Sequence, residues 1–216
     1  MSGLAARIAR VVRAKRVVYT RSMFGREELE RALRMLGAVL QDRGASSRIL
    51  VGGGSSLLLL GLIERPTADL DVIGLASGGH YAKAESIPGP LAEAVRDVGA
   101  ALGLSDTWLN NGPATLFDFG LPKGFEERVS VREYGSLEVH VAGRFDMVCF
   151  KLYAAVDQSG YGTSKHLADL LILRPTTTEL VTAAHWTRTQ DDSEGFRGEL
   201  VKILTVLGVE APDVSL

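Results

Sequence analysis

Apolar and polar positions follow two different periods along this chain. Between residues 26 and 43, apolar side chains recur at steps of three and four, which predicts an amphipathic helix that ends at Gly44. Residues 137–141 alternate strictly between apolar and polar, which is typical of a half-buried strand. Helical spacing returns after residue 143, and four further helices are predicted at 144–157, 165–173, 176–187 and 195–207.

The remaining segments complete a mixed arrangement. Strands are predicted at 48–51, 69–73 and 129–131, and helices at 55–63 and 90–102. Residues 74–89 and the turn cluster 108–113 are predicted as loops because Gly, Ser, Asn and Pro break regular structure. We therefore predict an α+β fold, in which a mixed β-sheet with flanking helices is followed by a C-terminal helical bundle. The expected division is a core over 1–143 and a helical region over 144–216.

Charge is uneven along the chain although the net charge is only −2. Up to Gly52 there are eleven Lys and Arg against four Asp and Glu, and residues 1–22 are predicted as a basic amphipathic helix or a loose arm. A basic end fits contact with phosphates or with an acidic partner, and it fits a solvated helix face equally well.

Three features of the sequence bear on the cellular compartment of the protein. The single cysteine, Cys149, lies in an apolar run and is predicted to be buried. Arg and Lys interrupt the first twenty residues, so no signal peptide is expected, and the longest apolar run, 57–63, is too short to span a bilayer. We expect a cytoplasmic protein without a membrane partner.

Two aspartates, Asp69 and Asp71, stand at alternate positions of a predicted strand and therefore face the same side. Two like charges on one face repel each other unless a cation lies between them, and hard oxygen ligands suit Mg²⁺ or Mn²⁺. The alternative is a surface strand with a polar outer face. Upstream, Gly53, Gly54 and Ser55 lie at a strand-to-helix junction, where backbone N–H groups and a hydroxyl can bind phosphate oxygens. A phosphate-binding turn beside a metal pair is what phosphoryl transfer requires.

These motifs resemble a known superfamily. The order Gly53-Gly54-Ser55, a spacer, then Asp69-Leu70-Asp71 is similar to nucleotidyltransferases of the polymerase-beta type. Arg65-Pro66-Thr67, Trp108-Leu109-Asn110, Lys151-Leu152-Tyr153 and the stretch from Lys165 to Leu170 extend the resemblance to AbiEii-type (MenT-like) nucleotidyltransferase toxins and their bacterial relatives. The resemblance implies a nucleotidyltransferase fold and an NTP substrate. It also implies transfer of an NMP to an acceptor hydroxyl, with the tRNA 3′ end as acceptor and an antitoxin protein as partner.

The resemblance also implies roles for individual residues. Lys151 corresponds to a lysine needed for activity in the toxins, Asp169 to an active-site acid, and Thr67 to a position that can be phosphorylated as an inactivating switch. Arg65 is expected to contact the phosphates or the acceptor. From the residues alone, Lys151 either extends to solvent along its apolar helix or meets triphosphate oxygens. Lys165 and Asp169 are spaced to form an ion pair across one helical turn.

A third acid, Glu138, shares a polar strand face with His140. If this strand pairs beside 69–73, Glu138 completes the metal site; an ordinary exposed glutamate fits the pattern equally well. Trp108 and the basic first fifty residues are expected to contact RNA. Two other functions stay open: transfer of a nucleotide to a small molecule or a protein, and a nucleotide-binding module without catalytic activity.

Overall fold

The computed structural model describes residues 23–159 and 165–209, and these form an α+β structure with one mixed sheet. The strands are β1 (Ser47–Gly52), β2 (Leu70–Ser77), β3 (His80–Lys83), β4 (Leu109–Asn110), β5 (Ser130–Tyr134) and β6 (Leu137–Val141). The helices are α1 (Arg26–Asp42), α2 (Gly53–Leu59), α3 (Gly89–Leu102), α4 (Phe125–Arg128), α5 (Arg144–Asp157), α6 (Lys165–Leu173), α7 (Thr177–Gln190) and α8 (Glu194–Val206). A 3₁₀ helix spans Gly112–Phe117.

Strand β1 lies at the centre of the sheet. The strand order is β3-β2-β1-β6-β5, and β4 pairs with the free start of β2. Strand β1 runs antiparallel to β2 and parallel to β6. Because β1 is hydrogen-bonded on both sides, its residues from Ile49 to Gly52 are all buried, and its end feeds directly into α2.

Helices cover the sheet where its side chains are apolar. Helix α1 buries its leucine stripe and packs against α3 and β5. Helix α5 is the hub of the C-terminal half, since it contacts α6, α7 and α8 and also reaches α2. Its side chains are therefore buried nearly all round, which is unusual for a helix that contains a lysine and an aspartate.

Helix predictions agree with the structure more closely than loop predictions do. Helices α5 and α6 have the predicted bounds, whereas residues 74–89 were wrongly predicted as a loop and contain the end of β2 and all of β3. Gly78 and Gly79, which favoured a loop, form the tight turn between these strands, with φ angles of +59° and +83°. The predicted arm at residues 1–22 lies outside the described residues.

Most arginines in the described part of the basic end form ion pairs within the protein. Arg43 pairs with Asp97 on α3, Arg48 with Glu138 on β6, and Arg26 and Arg34 both pair with Glu30. This favours the interpretation of a solvated helix face for residues 26–48. Within residues 23–159 and 165–209, none of the helices has the length and apolar character needed to cross a membrane. Cys149 is buried, as predicted.

Candidate active site

A cleft of about 440 Å³ lies where the start of β2 meets helix α5. It contains most of the residues that the sequence singled out, although they are far apart in the chain. Its lining residues include Gly53, Gly54, Arg65, Thr67, Asp69, Asp71 and Lys151. Asn110, residues of the 3₁₀ helix, and Lys165 and His166 on α6 complete its polar rim.

The glycine turn and the second aspartate are in direct contact. Gly52, at the end of β1, pairs with Asp71 in the antiparallel register. Gly53 has a φ of +70°, and a Cβ atom there would lie 1.9 Å from the Asp71 Oδ2. Only glycine satisfies both the left-handed backbone and this close approach. The predicted convergence of turn and aspartate is therefore present in the structure.

Asp69 and Asp71 form the acidic wall of the cleft. Asp69 immediately precedes β2 and Asp71 is its second residue, while Leu70 between them is buried in the core. The pKa of Asp71 is raised to about 6, chiefly by burial and also by the negative charge of Asp69, while Lys151 and Asn110 act in the opposite direction. The two carboxylates thus repel each other in a partly dry setting, which a bound cation would relieve.

The donor set of this wall fits a magnesium ion that arrives with phosphates. Within residues 23–159 and 165–209, no group of three or more His, Cys, Asp or Glu is arranged to hold a metal ion. Mg²⁺ is commonly held by only one or two carboxylates, with substrate phosphates and water supplying the other ligands. Asp69 and Asp71 match this pattern.

Arg65 and Lys151 form a cationic wall of the cleft, and the buried Asp169 binds both of them. Arg65 donates to both of its oxygens, from Nε to Oδ1 at 2.8 Å and from Nη2 to Oδ2 at 2.6 Å. Lys151 Nζ lies 2.8 Å from the same Oδ2. Burial raises the pKa of Asp169, but the Arg65 hydrogen bonds and the charge of Lys151 outweigh this and hold it below its ordinary value. Two cations share one carboxylate, so the cluster carries one excess positive charge.

This arrangement corrects one prediction about helix α6, the partner of Asp169. Asp169 was expected to pair with Lys165, whereas it pairs with Arg65 and Lys151. Its side chain is fully buried and both oxygens accept from cations, which suits it to positioning those cations.

Lys151 does not extend to solvent. Its side chain is 4% exposed and its tip lines the cleft. Burial lowers its pKa, and the Asp169 carboxylate opposes that shift by favouring the charged ammonium. An ammonium has three N–H donors. The contact with Asp169 uses one of them, which leaves donors for a ligand in the cleft.

Ser55 was predicted to bind phosphate through its hydroxyl, and its side chain is turned away from that role. It is fully buried and its Oγ donates to the carbonyl of Gly52 at 3.1 Å. Ser55 thus stabilises the turn, and Gly53 and Gly54 are the residues of the turn that line the cleft. Thr67 lines the cleft but is 6% exposed, and its backbone pairs in both directions with Phe24.

Glu138 is not part of this cleft. Strand β6 pairs with β1 and β5 and not with β2, which corrects the condition on which its metal role depended. Glu138 pairs in register with Arg48, four residues along β1 from the Gly52 that faces Asp71, or about 13 Å by the rise of a strand. It lines a separate pocket of about 220 Å³ with Tyr81 and His140.

Two features of the site were missed from the sequence. One is the contact of Asn110, a residue of the Trp108-Leu109-Asn110 motif, whose side chain approaches Asp71 from strand β4. The other is an apolar wall formed between the 3₁₀ helix and α5 by Leu116, Met147, Phe150 and Tyr153. Trp108 was expected to contact RNA and is instead 1% exposed, with its indole N–H bonded to the Val95 carbonyl. Buried aromatic and apolar residues at helical spacing could not be told from ordinary core.

The cleft therefore combines an acidic wall, a cationic wall and an apolar wall. Such a combination can hold a cation, phosphate oxygens and a flat apolar group side by side. Comparisons with known proteins add no relative: no protein-family model, no curated protein and no solved structure matches the chain.

Proposed function

We propose that this protein is a metal-dependent nucleotidyltransferase, which moves an NMP from an NTP to an acceptor hydroxyl. One observation carries the proposal. Gly53 lies against the Asp71 carboxylate in the same cleft where Lys151 and Arg65 share Asp169. A glycine turn, an uncompensated carboxylate pair and an excess of positive charge are the parts that transfer of a phosphate-bound group needs.

The acidic wall is assigned to the metal. Asp69 and Asp71 would hold a divalent cation, Mg²⁺ or Mn²⁺, which when bound neutralises charge on the phosphate oxygens. The backbone of Gly53 and Gly54 lies within reach of the same phosphates because both residues line the cleft. This explains why glycine is required there, since a side chain at Gly53 would displace the carboxylate.

The cationic wall is assigned to the triphosphate. Lys151 keeps one donor on Asp169 and directs its charge into the cleft, where it stabilises the negative charge of the phosphates. Arg65 is fixed by its two bonds to Asp169 and is 34% exposed, so its outer edge is available to a phosphate or to the acceptor. Asp169 sets the position of both cations.

The apolar wall is assigned to the nucleoside. Phe150 and Tyr153 lie one turn apart on α5, on the same helix face as Lys151 and Ala154. A base placed against this wall would put its phosphates toward Lys151. Burial of a flat apolar surface of this kind contributes affinity with little directional demand.

The reaction follows from these positions. The acceptor hydroxyl attacks the α-phosphorus, a new P–O bond forms, and the bond to the β-phosphate oxygen breaks to release pyrophosphate. Asp69 accepts the proton of the hydroxyl, since it lies at the acidic end of the cleft beside Asp71.

For the acceptor we propose the 3′ end of tRNA, as the sequence resemblance implies. The protein would then be the toxin of a toxin–antitoxin system that acts in the cytoplasm, with a cognate antitoxin protein as partner. Phosphorylation of Thr67 would place about two negative charges at the cleft wall and repel the triphosphate. Its low exposure means that a kinase would first have to separate Thr67 from Phe24.

The test uses each α-³²P-labelled NTP in turn, with total tRNA and, separately, with a protein extract as acceptors. We expect label in tRNA from the wild type. We expect a loss of at least about a thousandfold from Asp69→Asn and Asp71→Asn, because each removes a group that acts on transition-state charge. Glu138→Gln is the matched control, because it removes the same kind of charge outside the cleft. Label in protein or in small molecules of the extract, without label in tRNA, would overturn the tRNA assignment, and absence of label in all three would overturn the transferase.

A further inference from the structure

Strand β4 brings an amide to the acidic wall. It is only two residues long and pairs in parallel with the start of β2, so that Asn110 lies opposite Asp71. The strand is held from both sides. Trp108 is buried and donates from its indole to the Val95 carbonyl, and its own carbonyl accepts from the Leu70 N–H. The contacts of Trp108 thus fix the position of the Asn110 side chain beside Asp71.

The orientation of the Asn110 amide is set by the neighbouring backbone. The N–H of Gly112 donates to Asn110 Oδ1 at 2.9 Å. This directs the NH₂ group toward Asp71, with Nδ2 lying 3.5 Å from the Asp71 Oδ1. The atom that faces the acidic wall is therefore a donor, which cannot coordinate a cation, while the oxygen that could do so is already engaged.

The strand position of Asn110 is where a third carboxylate would complete a metal cluster with Asp69 and Asp71. An aspartate there would keep the bond from Gly112 and present a second oxygen to the cation. With asparagine the protein supplies two carboxylates, and one of these receives an N–H donor. Fewer charged ligands lower the affinity of a site for a divalent cation in the absence of other ligands.

We propose that Asn110 replaces a third acidic ligand, and that the site consequently binds its divalent cation together with the substrate phosphates and only weakly alone. The inference rests on the proposed function. It names Asn110 as a positioning residue that holds Asp71 and sets the order of binding. It also gives a role to the Trp108-Leu109-Asn110 motif, which the transfer reaction itself does not require.

The test compares the wild type, Asn110→Asp, and the double variant Asp71→Asn/Asn110→Asp, which restores the original charge and composition. Binding of Mn²⁺ alone is measured from the loss of the free Mn²⁺ electron paramagnetic resonance signal. We expect Asn110→Asp to bind Mn²⁺ at least about tenfold more tightly than the wild type, because ligand charge tunes affinity. The double variant should show no gain. Thermal unfolding in EDTA, in MnCl₂, and in MnCl₂ with tripolyphosphate provides a second measurement.

In the wild type, tripolyphosphate and Mn²⁺ together should raise the unfolding temperature far more than either does alone. Asn110→Asp should unfold at a lower temperature than the wild type in EDTA, because it adds a like charge. Mn²⁺ alone should then raise its unfolding temperature without tripolyphosphate. Equal Mn²⁺ affinity in the wild type and Asn110→Asp would overturn the inference, as would strong binding of Mn²⁺ alone to the wild type. These readouts do not involve nucleotide transfer. A wild type that labels no acceptor therefore counts against the proposed function and leaves this inference standing.

Discussion

Asp71 lines the cleft and Asp169 is buried behind two cations that line it, and the residues around these two aspartates shift their pKa values in opposite directions. Asp169 is fully buried, yet its pKa is held low because Arg65 and Lys151 donate to it. Asp71 is less deeply buried, yet its pKa is raised to about 6 because burial and Asp69 both disfavour its charge. Burial alone therefore does not determine the state of a carboxylate here. The partners supplied by other elements do.

The two environments suit the two carboxylates to different roles. When both oxygens of a carboxylate accept hydrogen bonds from cations of the protein, its negative charge is already balanced, and it serves to hold those cations in place. When a carboxylate lies beside a like charge, its negative charge is not balanced, and a ligand that brings positive charge stabilises it most. We therefore expect the same substitution, Asp to Asn, to have opposite effects on stability at the two positions.

The largest effect is expected at Asp169. Asp169→Asn leaves Lys151 buried without a counter-ion, which should lower the free energy of unfolding by about 3–5 kcal/mol at pH 7.5. Chemical denaturation measures this directly. Asp157→Asn, at an exposed aspartate that also lines the cleft, is the control and should stay within about 0.5 kcal/mol of the wild type. Equal stability of Asp169→Asn and the wild type would show that the cluster is not an ion pair in solution.

A smaller loss is expected at the glycine turn. Gly53→Ala places a methyl group against the Asp71 carboxylate and strains a positive φ, so it should cost about 2–4 kcal/mol. Gly44→Ala is the matched control, because Gly44 also has a positive φ of +63° but has nothing within 4 Å of the added carbon. It should cost about 1 kcal/mol. Equal losses in the two variants would contradict the contact between Gly53 and Asp71.

The opposite sign is expected at Asp71. Asp71→Asn removes a disfavoured charge and should raise the metal-free stability by about 1–3 kcal/mol at pH 8. The pH dependence follows from the raised pKa. The folded state binds the Asp71 proton more tightly than the unfolded chain does, so the contribution of Asp71 to stability is favourable below pH 4 and is lost as the pH rises through about 6.

The difference between Asp71→Asn and the wild type should therefore be absent at pH 4 and grow to its full size above pH 6. Urea unfolding in EDTA across this range measures it. Asp169→Asn provides the reverse profile, because a lowered pKa stabilises the fold above the unfolded value and that stabilisation is lost as the pH falls. A gain from Asp71→Asn that is independent of pH would count against the like-charge explanation.

The sequence predicts the local half of this site well. Gly53 comes to lie against Asp71 because β1, which ends at the glycine turn, and β2, which carries Asp71, are consecutive strands that pair with each other. The Asp169 cluster could not be predicted in the same way. Arg65 and Asp169 are 104 positions apart, and the only local spacing available favoured Lys165 as the partner. Helix periodicity states which residues share a face, and it does not state which distant loop covers that face.

Glu138 shows that strand alternation likewise does not predict which element lies next to a given strand. Alternation along 137–141 correctly separates buried Leu137 and Val139 from the more exposed Glu138 and His140. It cannot state which strand lies next to β6, because pairing depends on the order of strands in the sheet. The polar face of β6 therefore joins Tyr81 and Arg48 in a second pocket.

The smallest effect is expected at Glu138, where a substitution should leave metal binding and activity almost unchanged. Glu138→Gln weakens exposed contacts with Arg48 and His140, about 13 Å along β1 from the level of Asp71. Nucleotide transfer and the affinity for Mn²⁺ in the presence of tripolyphosphate should both stay within about twofold of the wild type, since exposed ion pairs contribute little and are screened by salt. The same measurements on Asp69→Asn provide the positive control. A loss of Mn²⁺ binding in Glu138→Gln as large as that in Asp69→Asn would mean that β6 reaches the metal. The acidic wall of the cleft would then contain a third carboxylate.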